Sequence, residues 1–95
     1  MIQGKTKTGF EYQLNDNVLN NMELVDAIAE LDERGSLFAL SKLCILLLGE
    51  AQRKQLYDHL RAEDGRVPNS DVEREVVEIL RGCGKAGKNS VPSPE

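Results

Sequence analysis

Between Ser36 and Gly49 the chain reads Ser-Leu-Phe-Ala-Leu-Ser-Lys-Leu-Cys-Ile-Leu-Leu-Leu-Gly, and only Ser41 and Lys42 interrupt the apolar residues from Leu37 to Leu48. A segment apolar on nearly every side belongs inside something. Its Leu and Ala content favours helix, and it is longer than an ordinary strand. Twelve residues at about 1.5 Å each give roughly 18 Å, short of the roughly 30 Å a bilayer core requires. The run is therefore expected to be the central helix of a small domain. Either its own chain wraps it, or a partner finishes one face.

The 95 residues suffice for one domain with a modest core. The only aromatic residues are Phe10, Tyr12, Phe38 and Tyr57, so Leu, Ile and Val must build that core. The formal net charge of −4 disfavours a general phosphate-backbone binder. The first residues contain no apolar signal-peptide stretch. Cys44 reads as a small core residue, Cys83 lies between two glycines, and the pair suits a reduced cytoplasmic setting. One His and two distant Cys do not make a zinc site.

Residues 1–14 are expected to form a β-hairpin. Phe10, Tyr12 and Leu14 alternate with Glu11 and Gln13, and Thr6 to Gly9 supplies the turn. A free hairpin edge can pair with another copy. Asn20 or Asn21 is placed to cap a first helix that ends at Gly35. Met22, Val25, Ile28, Ala29 and Leu31 form its apolar stripe, with Glu23, Asp26, Glu30 and Glu33 toward water. Val18 and Leu19 are expected to tuck into the core just before it.

Ser36 caps the central helix and Gly49 breaks it. A third helix then spans Glu50 to Glu63, with Leu56, Tyr57 and Leu60 inward. Asp64-Gly65 turns the chain, and Pro68 keeps Val67 extended. Asn69 or Ser70 caps a last helix that ends at Gly82, with Val72, Val76, Ile79 and Leu80 as its stripe. The expected fold is thus mainly α: an N-terminal β-hairpin, a compact bundle of about four helices over residues 1–82, and a disordered tail over 83–95.

No motif points to catalysis, a cofactor or a metal. Gly82 to Lys88 fits the spacing G-x-x-x-x-G-K, but Asn89 stands where a P-loop has Ser or Thr, and the segment follows a helix rather than a strand. Setting Gly65 at the glycine of a calcium loop puts Leu60 and Ala62 at ligand positions. Asp58 and His59 are adjacent on a helix, and no nucleophile stands at a recognisable spacing from them. A helix-turn-helix reading would make 69–81 the recognition helix, where Glu73, Glu75 and Glu78 oppose a phosphate groove.

Four stretches together carry a resemblance: Gly4-Lys5-Thr6-Lys7-Thr8-Gly9-Phe10-Glu11-Tyr12; Met22-Glu23-Leu24-Val25-Asp26-Ala27-Ile28-Ala29-Glu30-Leu31; Leu48-Gly49-Glu50; and Tyr57-Asp58-His59-Leu60-Arg61-Ala62-Glu63-Asp64-Gly65-Arg66-Val67-Pro68. Over about residues 4–82 the chain resembles the small tail assembly chaperones of siphophages and prophages, encoded between the tail tube and tape measure proteins. The resemblance implies a small, self-associating, mostly helical protein without catalysis. It would bind the tape measure protein, help recruit tail tube subunits, and act in the host cytoplasm. It also implies a ribosomal frameshift near the end of the short form, for which a G- and A-rich run encoding Gly84-Lys85 and Gly87-Lys88 is the candidate. The alternative is a small helical DNA-binding or regulatory adaptor. Phe38, Leu40 and Leu47 on the central helix, with Val72, Val76 and Leu80 on the last, are the expected walls of a groove for a client helix. No nucleic acid or membrane partner is expected.

Overall fold

The computed structural model describes residues 1–90, with side-chain surroundings through Cys83. Strands β1 (Ile2–Lys5) and β2 (Glu11–Leu14) pair antiparallel, with Ile2 opposite Leu14 and Gly4 opposite Tyr12. Three helices follow: α1 (Met22–Arg34), α2 (Leu37–Leu60) and α3 (Asn69–Ser90). Phe10, Tyr12 and Leu14 are buried, as the alternation requires, and Gly9 turns the hairpin at φ 98°. Val18 reaches the core before α1, whereas Leu19 stays at the surface.

The helix boundaries follow local chemistry. Asn21 accepts from the Glu23 amide at the start of α1, Gly35 ends it in the left-handed region, and Ser36 accepts from the Ala39 amide at the start of α2. Three helices are present rather than about four, because the segments on either side of the expected break run on as one element, α2. Gly49 still breaks helical geometry, at φ 77° and ψ 168°, so α2 consists of two helical segments joined at a kink, and Tyr57 after the kink shares a cleft with Leu37 and Leu40 before it. That backbone region is essentially restricted to glycine. Gly49→Ala is expected to cost about 1–3 kcal/mol in a denaturant melt. A cost near zero would show that the helix straightens without loss.

The core gathers Leu24 and Ala27 of α1, Leu40, Leu43, Cys44, Leu47, Leu48 and Leu56 of α2, and Val72, Val76, Ile79 and Cys83 of α3, beneath Phe10, Tyr12 and Leu14. Helix α3 does not end at Gly82 as expected but continues past it, and fully buried Cys83 lies within it. The glycine at 82 has a packing reason. A Cβ there would stand 3.0 Å from the Tyr12 hydroxyl, and one at Gly4 would clash with the same ring, so Tyr12 fits between two glycines. Residues 91–95 of the expected tail lie outside the described residues.

The central run is not enclosed on all sides. Leu37, Phe38, Ser41, Lys42 and Ile45 face outward, because two strands and two other helices do not supply enough chain to surround α2. The free hairpin edge is also partly covered. At Gln13 the side-chain amide of Gln52 takes the place of a neighbouring strand: Gln13 N–H donates to Oε1 at 2.8 Å, and Nε2 donates to the Gln13 carbonyl at 2.7 Å.

After α2 the turn is held by Arg61, which donates to the Gly65 carbonyl at 2.8 Å and to Asp58 at 2.9 Å, and by Arg66 on Asp64 at 2.7 Å. The Arg61 hydrogen bond, with Lys54 nearby, lowers the Asp58 pKa, and Arg66 does the same for Asp64. What these carboxylates contribute to stability is present above the ordinary Asp pKa and is lost as pH falls through their lowered values.

Candidate functional site: an open groove between the first and last helices

Helices α1 and α3 both pack on α2, and among the described residues no Cα of α1 lies within 8 Å of one on α3. The space left is a groove of about 420 Å³. Val25, Ile28, Ala29 and Leu31 form one wall, Val77 and Leu80 the other, and Leu43 the floor. Among the described residues, Asp32, Glu33 and Glu73 are its only polar lining residues. Val25 is 43% exposed, so the groove presents apolar side chain to solvent.

Of the six residues expected to line a client groove, Leu80 does so. Leu40, Leu47, Val72 and Val76 are at most 5% exposed and belong to the core, although Leu40 and Val72 also line a small cleft of about 180 Å³ between α2 and α3. Phe38 is 90% exposed but lies on the outward side of α2 with Ile45, away from the buried face. The expected stripe of α1 is only partly its packed face: Leu24 and Ala27, outside that stripe, are the residues α1 buries, while Met22, Val25 and Ala29 are exposed, and Val25, Ile28, Ala29 and Leu31 line the groove instead. Val77 and Leu43 were not legible as site residues. Glu73, Val77 and Leu80 form a second row on α3, beside the buried row of Val72, Val76 and Ile79.

A second cleft, of about 720 Å³, opens between the hairpin and α3, where Lys5, Lys7, Arg74 and Arg81 stand beside Glu73, Glu78 and the edge of Tyr12. The Lys7 backbone amide donates to Glu78 at 2.9 Å. Both charge signs are interleaved, which gives no continuous surface for a phosphate backbone.

A polar cluster lies beneath the hairpin turn. The Thr8 hydroxyl donates to Oε2 of Glu75 at 2.9 Å and is 3.1 Å from Nε2 of His59. Thr6 Oγ1 is 3.2 Å from the same hydroxyl and accepts from the Phe10 amide. Glu75 is fully buried, its Oε1 has no partner, and Arg74 comes within 3.8 Å of Oε2. Thr8 has a single proton, and it points at a carboxylate rather than at the imidazole. His59 is therefore not placed to activate Thr8 as a nucleophile, and the cluster ties the turn to α2 and α3.

The two thiols are buried, and burial raises the pKa of both Cys44 and Cys83. Neither therefore has the lowered pKa of a reactive cysteine. Among the described residues no group of three or more His, Cys, Asp or Glu is arranged to hold a metal, and no helix is long and apolar enough to cross a membrane. Compared with known proteins, the chain matches no family model, and no curated protein or solved structure is significantly similar to it.

Proposed function

We propose that this chain is a phage or prophage tail assembly chaperone, binding helical segments of the tape measure protein and helping to recruit tail tube subunits, without catalysis. The observation that supports the reading is the α1–α3 groove, an open apolar trough on a small acidic domain. A trough between two helices suits an amphipathic helix laid in it, which would otherwise expose its own apolar stripe. Extended tape measure proteins carry such stripes over long distances, and the sequence resemblance supplies this client class.

The test is to express the gene in its native context, with its downstream reading frame and the neighbouring tape measure gene, from an N-terminally tagged copy. The tape measure protein is expected to co-purify with the tagged chain and to aggregate when the chain is deleted. A longer product with the same tag would add the frameshifted form. A tape measure protein that stays soluble without this chain, and is not retained by it, would contradict the reading.

A further inference from the structure

The groove differs at its two ends. The two-residue link Gly35–Ser36 reverses the chain, so the end of α1 lies beside the start of α2. Leu37, Leu40 and Ser41 share a small cleft with Asn69 and Val72, so α3 also begins beside the start of α2. Helices α1 and α3 therefore run in opposite directions along the groove. Asp32 and Glu33 come late in α1 and Glu73 early in α3, which collects all three carboxylates at one end. Val25 and Leu80 lie at the other. From Glu73 to Leu80 is about 10 Å of helix, or two turns.

Asp32, Glu33 and Glu73 are all exposed, and none forms an ion pair with a described residue, although Glu73 also borders the hairpin–α3 cleft that holds Lys5, Lys7, Arg74 and Arg81. Three like charges around one mouth repel each other, and a cation placed among them relieves that repulsion. From this charge complementarity we infer that the groove's occupant is an amphipathic helix whose short apolar stripe ends in a cluster of Lys or Arg side chains, the cluster seated against Asp32, Glu33 and Glu73. This rests on the client-binding reading and adds to it the chemistry by which a client segment is chosen. The apolar walls hold the stripe, and the acidic mouth sets which segment enters and in which direction.

The test uses the full chain and two synthetic helical peptides with one shared Leu/Ala stripe, the first ending in three lysines and the second in three glutamates. In titration calorimetry at low salt, the lysine peptide is expected to bind about tenfold or more tightly than the glutamate peptide, and added salt should shrink the gap. The triple variant Asp32→Lys, Glu33→Lys, Glu73→Lys, at surface positions that leave the core untouched, is expected to reverse the preference while keeping its circular dichroism spectrum. Equal binding of both peptides, abolished by Val77→Glu, would overturn the charge inference while leaving the groove as a helix site. Binding of neither peptide would overturn both.

Discussion

Leu47→Ala is expected to destabilise the protein by about 2–5 kcal/mol, and Phe38→Ala to change its stability by no more than about 0.5 kcal/mol. Both residues belong to the same apolar run, and the sequence assigns both to a partner surface. The structure separates them. Leu47 is 3% exposed within the shared core, so truncating it removes buried methyl groups and leaves a cavity. Phe38 is 90% exposed and has few contacts to lose. Urea melts of the two variants check the contrast. Similar small effects would place Leu47 at a surface, as the sequence-based expectation had it. A large loss from Phe38→Ala would mean that its ring is buried in solution, for instance against a second copy.

Thr8→Val is expected to cost about 1–3 kcal/mol, the range for leaving a buried polar group without its hydrogen-bond partner. The Thr8 hydroxyl is the one hydrogen-bond donor to the fully buried Glu75 among the described residues, and the Arg74 contact at 3.8 Å is too long to replace it. Valine keeps the shape of the side chain, so the loss reports the hydroxyl's polar contacts with Glu75, His59 and Thr6 rather than packing. If this account of Glu75 holds, Thr8→Val becomes much less harmful when Glu75 is also replaced by leucine, since no buried carboxylate is then left unpartnered. A double-mutant cycle measures this coupling, and strict additivity would show that Thr8 and Glu75 do not interact.

Much of the architecture was legible in the sequence because short-range chemistry sets it. Asn21, Gly35 and Ser36 start and stop helices through bonds to residues two to four positions away. The alternation of Phe10, Tyr12 and Leu14 specifies which face of the hairpin is buried. Gly49 was legible as a break, and its non-helical backbone divides α2 into two segments. The glycines around Cys83 suggested the start of a tail. In the fold, Gly82 instead admits the Tyr12 ring and Cys83 fills the core beside it.

The groove was half legible. Its α1 wall is an ordinary amphipathic stripe, but its opening depends on the spacing of α1 and α3 across α2, which no local pattern encodes. Apolarity alone could not separate core from groove on α3, where two apolar rows lie side by side. The Thr8–Glu75–His59 cluster joins residues 67 and 51 positions apart, so no spacing rule reaches it.

We propose that the α1–α3 groove, not the outward face of α2, receives a helix. A nitrogen-15 chemical-shift titration of the full chain with the lysine-ended amphipathic peptide tests this. The largest shifts are expected on Val25, Ile28, Ala29, Val77 and Leu80, with Glu73 and Asp32 moving at the acidic end. Largest shifts at Phe38 and Ile45, with the groove unmoved, would contradict it.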